Sequence, residues 1–236
     1  MSFQTAKPTM AAAVLEQLRE DIVRCRLKPG SKLRSDDLRA RYEVGVSPLR
    51  ESLSRLAVEG LVTSVGQRGF RVAPISIEDF REITRLRCEL ERMAITDAIA
   101  LGDDEWESDI VKAFHNLSVM ERRPKSEGTD VSLASLSLEW ERRHRLFHEA
   151  LLEGCGSARL LGMIGNLVDQ SERYRHVAVA YSTMPRKDLG EHKAIMNTVL
   201  ARDTPRAVEL IAKHLNKTVK MVAQLLSDGA DVAAES

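Results

Sequence analysis

The chain has 236 residues, of which 43% are hydrophobic and 30% are charged, and its formal net charge is zero. This length is enough for two domains that each bury a core, and no apolar run reaches the roughly 18 residues that a membrane-spanning helix needs. The N-terminus lacks the pattern of a signal peptide, and three widely spaced cysteines do not indicate a disulfide framework. We therefore expect a cytoplasmic protein with no membrane partner.

The neutral total conceals an uneven distribution of charge. Residues 1–74 contain 13 Lys and Arg against 8 Asp and Glu, a net charge of +5, and the remainder carries −5. A basic module joined to an acidic one is expected where only the first contacts a polyanion such as DNA. Chance segregation of charge explains the same pattern equally well, so charge alone does not decide.

The chain begins with two predicted helices. Residues 9–26 carry apolar side chains at helical spacing and predict the first helix, which is followed by a turn at Gly30. Ser35 is predicted to cap a second, short helix. Asp36 and Asp37 fall in its first turn, where the helix dipole favours negative charge.

A third helix and a hairpin follow. The helix begins after Gly45 and ends at Gly60, a residue type that readily takes the left-handed conformation. Its predicted buried side comprises Leu49, Leu53, Leu56 and Ala57. Two short β-rich runs, 61–65 and 70–73, flank a glycine-rich turn. Three helices followed by a basic-tipped hairpin predict a winged helix-turn-helix, the DNA-binding domain that we place at residues 1–74.

From Ser76 onward the periodicity is entirely helical. Ser76 is predicted to cap a helix that extends to about residue 100. Further helices are predicted at 104–121, 133–153, 156–180, 187–201 and 204–227. We therefore expect a mainly α protein, in which an all-α antiparallel helical bundle at residues 75–228 follows the winged helix and a tail occupies 229–236.

Several polar residues fall where a winged helix would meet DNA. A recognition helix lies in the major groove and reads bases near its N-terminal end, where Ser47 and Arg50 are predicted to be exposed. Arg50 can form a bidentate pair with guanine, and Arg34 at the start of the second helix can reach a phosphate or a base. For a lone arginine, a solvated surface charge is the alternative. The predicted wing tip, a candidate for minor-groove contact, comprises Gln67, Arg68 and Gly69.

Four of the six histidines fall at positions that favour a metal site. His144 and His148 are four residues apart on one predicted helix and therefore share a face. His192 and His214 lie on the apolar faces of two later helices, and facing helices of a bundle often build metal sites from inward side chains. Four imidazoles suit zinc, nickel or copper better than magnesium or calcium. For each histidine taken singly, a buried core role is the alternative.

The strings Leu33-Arg34-Ser35-Asp36-Asp37-Leu38 and Ser47-Pro48-Leu49-Arg50-Glu51-Ser52-Leu53 resemble the GntR family of bacterial regulators, in which an L-x-S-x-x-L motif precedes a recognition helix reading T-P-V-R-E-A-L. The later part of the chain resembles the FCD effector domain of the FadR subfamily. Its matching positions are 86–91, Phe147-His148, Glu191-His192 and His214. The strings 44–51 and 169–175 are similar to a branch that contains a glutarate-responsive repressor.

The resemblance implies a homodimeric repressor that binds a palindromic operator in double-stranded DNA and is released by a small carboxylate effector. It implies a divalent transition metal, zinc or nickel, held by His148, His192 and His214, with His144 where the family usually has an aspartate. Many family members have Ser-Arg where this chain has Gly45-Val46. A base-reading arginine is then absent, and Val46 is left to contact a thymine methyl group.

Two arginines are candidates for binding the effector. Arg87 suits a second carboxylate because its guanidinium can pair bidentately, although an ion pair with Glu91 one turn later is nearly as attractive an interpretation. Arg173 is a weaker candidate. His148 and the residue after it begin a zinc-protease H-E-x-x-H motif, but position 152 is Leu, so we expect no enzyme. A metal-dependent hydrolase and a purely structural dimerisation bundle remain the alternatives for this domain.

Overall fold

A computed structural model describes residues 10–66, 69–122, 133–180 and 189–234. The described residues form nine α-helices and one three-stranded sheet, so the chain is mainly α as the sequence predicts. The elements are α1 Met10–Val23, β1 Lys32–Leu33, α2 Ser35–Tyr42, α3 Val46–Val58, β2 Val62–Ser64, β3 Phe70–Val72, α4 Ile77–Leu101, α5 Asp104–Arg122, α6 Leu133–Glu153, α7 Ala158–Ala180, α8 Leu189–Leu200 and α9 Thr204–Ala234. None of the helices in these ranges combines the length and apolar character that crossing a bilayer requires.

The first three helices and the sheet form the predicted winged helix-turn-helix. The hairpin strands β2 and β3 pair antiparallel, and β1 pairs antiparallel with the other edge of β3. The strand β1 was not predicted because two residues carry no recognisable alternation. The apolar core of this domain is buried as the helical spacing indicates, and its most enclosed members are Leu18, Ile22, Leu49, Leu53, Leu56, Leu61 and Val72.

The ends of the short helices differ in one respect from the prediction. Gly60 has φ +75°, which confirms its role as a left-handed terminator after α3. The predicted cap at Ser35 is wrong, because Arg34 occupies the capping position and no side chain caps the helix there. Asp36 and Asp37 do lie in the first turn. Their negative charge at the positive end of the helix dipole stabilises the start of α2, where no side chain caps the helix.

A buried carboxylate joins α1 to α2. Asp21 is 5% exposed and accepts hydrogen bonds from the Tyr42 hydroxyl at 2.6 Å and from Arg26 at 2.8 Å, while Arg41 forms an ion pair with it at 2.6 Å. Burial by itself would raise the pKa of Asp21, but the hydrogen bonds and the two positive charges outweigh it, so the pKa lies below its ordinary value. The carboxylate therefore stays charged and holds the two helices together.

The later helices follow the prediction closely. The Ser76 hydroxyl accepts a hydrogen bond from the Asp79 amide at 3.1 Å, which confirms the predicted cap of α4. The last helix, α9, continues to Ala234 rather than ending near residue 227. Between α5 and α6, the Trp106 indole donates to the Ala150 carbonyl at 2.9 Å. A Cβ at Gly102 would lie 2.1 Å from that indole, so the ring fits only beside a residue without a side chain.

The chain folds as two compact units that do not follow the chain order. One unit contains the described residues of Met1–Ile83, Asn166–Ser182 and Met221–Ser236, and the other contains those of Thr84–Gly165 and Thr183–Lys220. The second half of α7 therefore belongs to the same unit as the winged helix. The division into domains at 1–74 and 75–228 stays a prediction.

Candidate metal centre and nucleic-acid interface

Four histidines from three helices converge inside the second unit. His144 and His148 lie one turn apart on α6, His192 lies on α8 and His214 on α9, and none is more than 9% exposed. Their ligand atoms all lie within 4.8 Å of one another. The Trp140 ring stacks on the His144 imidazole with centroids 4.7 Å apart, which fixes the plane of that ring. The structure thus brings together all four residues that the sequence singled out.

The cluster fits a divalent transition ion in donor type, and one pair of its nitrogens has the spacing of a tetrahedral site. Zinc–nitrogen bonds of about 2.0–2.1 Å in a tetrahedral site place neighbouring nitrogens roughly 3.3 Å apart. The Nε2 atoms of His144 and His148 are 3.2 Å apart. Imidazole at the aspartate position supplies a donor that binds such ions at a similar metal–ligand distance. The donor set contains no carboxylate, which makes it a poor site for magnesium or calcium.

A carboxylate behind His214 was not predicted as part of this centre. The Oε2 atom of Glu191 lies 3.2 Å from Nδ1 of His214, and the other carboxylate oxygen accepts a hydrogen bond from the Lys217 ammonium. A carboxylate on Nδ1 keeps the ring proton there and leaves the Nε2 lone pair for a metal. Sequence gives no signal for this contact, since it arises from the packing of α8 against α9 across 23 residues.

We expect Glu191→Gln to weaken metal binding about 10-fold to 100-fold, the usual effect of losing such a supporting carboxylate. Affinity would be measured by competition with a chromophoric chelator. The matched control is Glu149→Gln, which removes the same charge next to His148 from a carboxylate that pairs with Arg145 instead. Equal affinities of the two variants would show that Glu191 does not orient His214.

Arg87 makes the ion pair that the sequence offered as its alternative role. Its Nε and Nη2 atoms lie 2.8 and 2.7 Å from the same carboxylate oxygen of Glu91. Both side chains are buried, with exposures of 6% and 2%. A buried charge pair needs such contacts because desolvation is costly. A role for Arg87 in effector binding stays a prediction.

Arg173 lies in the other compact unit from the histidines. Its guanidinium donates a hydrogen bond to the Ala73 carbonyl directly after β3, and within the described residues its Nε atom has no hydrogen-bond partner. Burial lowers the pKa of Arg173, although the neighbouring acidic groups act in the opposite direction. These contacts are made within the compact unit that contains the winged helix, and the role of Arg173 toward an effector stays a prediction.

The end of the recognition helix is held by the second half of α7, which sequence reasoning missed. The Gln170 side-chain amide donates to the Glu59 carbonyl at 2.9 Å, directly after α3. Arg19 on α1 forms ion pairs with Glu59 at 2.5 Å and with Asp169 at 3.2 Å. A Cβ at Gly60 would lie 3.0 Å from the Gln170 amide nitrogen. These partners are up to 150 residues apart, so no local sequence pattern predicts the contacts.

The candidate DNA-reading residues lie at the surface of the first unit. Arg34, Ser47 and Arg50 are exposed, and Val46 at the first position of α3 is 55% exposed. Gly69 has φ +92°, a conformation that favours glycine. The remaining two wing-tip candidates, Gln67 and Arg68, lie outside the described residues.

A winged helix-turn-helix that exposes basic residues along its second and third helices, joined to a helical domain, defines the class of DNA-binding transcriptional regulators. Residues 10–72 match the bacterial regulatory proteins of the gntR family, and residues 82–217 match the FCD domain. The chain belongs to the GntR family and carries an FCD domain.

Relatives agree with this assignment. The chain is 40% identical over 214 residues to the HTH-type transcriptional repressor GlaR of Escherichia coli (strain K12), covering 89% of this chain and 94% of that protein. It is 36% identical over 230 residues to the uncharacterized HTH-type transcriptional regulator BphR of Paraburkholderia xenovorans (strain LB400), covering 94% and 92%. The family and these relatives are transcriptional regulators and not enzymes.

A solved structure supports the fold. The Escherichia coli protein McbR/YncC superposes with a TM-score of 0.75 at 19% sequence identity, covering 92% of this chain and 98% of that one.

Proposed function

We propose that this chain is a homodimeric, cytoplasmic repressor that binds a palindromic operator and leaves it when a small carboxylate binds in the FCD domain. The observation that carries the proposal is the convergence of four buried histidines in a chain that also holds a winged helix. GlaR, which is 40% identical, is named as a repressor.

On DNA, α3 would lie in the major groove with Ser47 and Arg50 toward the bases. Arg34 would contact a phosphate or a base edge, and Val46 a thymine methyl group. A dimer would place two such helices on half-sites about one helical turn, or a multiple of it, apart. The proposed wing contact to the minor groove comprises Gln67, Arg68 and Gly69.

In the FCD domain, His144, His148, His192 and His214 would hold a divalent transition metal, with zinc or nickel favoured by four nitrogen donors. A bound cation would supply positive charge that attracts an anionic effector. Arg87 uses its Nε and Nη2 atoms on Glu91, and we assign its Nη1 group to a second effector carboxylate. Arg173 is the weaker candidate for effector binding.

Release from DNA sets an energetic condition. A ligand shifts a conformational equilibrium only by its difference in affinity for the two states. The effector must therefore bind the geometry that has left DNA more tightly than the geometry on the operator. In a repressor that its effector releases from DNA, the effector has this preference for the released geometry.

Two measurements test the proposal. The purified chain is expected to retain one or more genomic fragments in a gel-shift selection and to protect a palindromic footprint. A thermal-shift screen of small mono- and dicarboxylates, glutarate among them, is expected to identify a stabilising ligand whose effect disappears after chelator treatment. A protein without stoichiometric metal and without a carboxylate response would instead have a structural dimerisation bundle.

A further inference from the structure

The basic residues of the winged helix divide into two sets by their partners. One set forms ion pairs with carboxylates and comprises Arg19, Arg24, Arg26, Arg39, Arg41 and Arg55. The other set forms no ion pair with any carboxylate in the described ranges, and it comprises Lys28, Lys32, Arg34, Arg50 and Arg71. Two members of the second set, Arg34 and Arg50, are the residues proposed to contact DNA. The remaining three need an explanation.

Two of the three face each other across the sheet. Lys32 on β1 is the register partner of Arg71 on β3, and Arg71 is also the partner of Thr63 on β2. All three side chains are exposed, so they form one row on the outer face of the sheet. The next residues along two of these strands, Leu33 and Val72, are buried on the opposite face.

This row costs stability in the free protein. Like charges directly opposite each other on antiparallel strands are destabilising. Among the described residues, no carboxylate forms an ion pair with Lys32 or Arg71. Arg71 donates instead to the neutral Gly30 carbonyl at 3.0 Å, which orients the guanidinium without reducing its charge. An anion bound from outside would remove the repulsion and find one donor already oriented.

The row is continuous with the proposed DNA-reading surface. Arg34 has φ −77° and ψ 123°, an extended conformation, and follows β1 directly. Residues two apart in an extended chain point to the same side, so Lys32 and Arg34 share that side. Arg34 in turn stands at the start of α2, the first helix of the helix-turn-helix.

We propose that Lys32 and Arg71 form a binding surface for the sugar-phosphate backbone of the operator duplex, beside the bases that α3 reads. The inference rests on the proposed function. Its occupant is DNA because a row of oriented cations next to a base-reading edge matches the regular phosphates that flank the bases in a duplex. The contact holds the protein in register and carries no sequence information.

The test compares Lys32→Gln, Arg71→Gln and the double variant with the full-length wild-type protein. Fluorescence anisotropy would give affinities for an operator duplex and for an unrelated duplex of equal length, over a series of salt concentrations. Each substitution is expected to weaken binding to both duplexes by roughly 5-fold to 10-fold at about 0.1 M salt. The slope of log affinity against log salt should fall by about 1 for each contact removed.

The charge-matched control is Arg92→Gln, an exposed arginine on α4 that pairs with Glu89 and should leave affinity and slope unchanged. Arg71→Lys keeps the positive charge and should keep the wild-type salt slope. This variant therefore distinguishes an effect of charge from an effect of side-chain shape. Circular dichroism confirms that each variant is folded. If the wild type binds its operator and the variants keep its salt slope, the backbone contact is refuted and the proposed function stands. A wild type that binds no duplex at all refutes both.

Discussion

A chain in which both His192 and His214 are replaced by Ala is expected to lose its metal and to keep its affinity for the operator. Two of the four donors are removed, and the two that remain lie one turn apart on α6, which is too few to complete a tetrahedral site. Metal content after dialysis, measured by mass spectrometry, should fall from about one ion per chain to near zero. Operator affinity without effector should change little, because neither residue belongs to the winged-helix unit.

The matched control for the double variant is His115→Ala, which removes an exposed histidine of α5 that is not part of the cluster. Its metal content should equal that of the wild type. Wild-type protein stripped by chelator provides the second comparison, since it lacks the ion but keeps the side chains. A double variant that unfolds while the stripped wild type remains folded would indicate that the histidines serve the core of the bundle rather than a metal.

The second large effect is expected at the recognition helix. Arg50→Ala should weaken operator binding by on the order of 1–3 kcal/mol, roughly 10-fold to 100-fold, and relax the preference for one base pair. The reason is that a bidentate arginine–guanine contact carries both affinity and discrimination. Competition gel shifts with operators altered at each position in turn would locate that base pair.

Arg55→Ala controls for loss of charge on the same helix, because Arg55 is exposed but pairs with Glu51 at 2.7 Å. It should cost far less operator affinity than Arg50→Ala. The two DNA-contact hypotheses are also separable, since Arg50 should alter discrimination between sequences whereas Lys32 and Arg71 should weaken binding to all of them. Unchanged operator affinity in Arg50→Ala would mean that α3 docks by another edge.

The fold was largely predictable because long amphipathic helices produce a regular spacing of apolar residues in the sequence. The spacing of Leu49, Leu53 and Leu56 identified both α3 and its buried side. The strand β1 was not predicted, because two residues are too few to show the alternation of a strand. Its pairing with β3 also depends on residues nearly 40 positions later. The prediction that Ser35 caps α2 was wrong because a serine before two aspartates fits either the capping position or the first turn.

The candidate metal centre was predictable only in part. The spacing of His144 and His148 placed them on one face of a helix, but their convergence with α8 and α9 was implied by resemblance. The Glu191 contact to His214 had no sequence signal, because a carboxylate facing a histidine on another helix depends on how the two helices pack. Contacts of this kind are visible only once the helices are placed.

The close contact between Gly60 and Gln170 limits how the winged helix-turn-helix can be moved onto another protein. Gly60 has a left-handed backbone, a Cβ there would lie 3.0 Å from the Gln170 amide nitrogen, and the same amide donates a hydrogen bond to the preceding carbonyl of Glu59. A chimera that joins the N-terminal segment to the effector half of a relative would keep that contact only where the relative supplies a side chain equivalent to Gln170. A transplant of the winged helix of this chain should therefore include the Asp169–Arg173 stretch, which supplies the contacts to Arg19, Glu59 and Ala73.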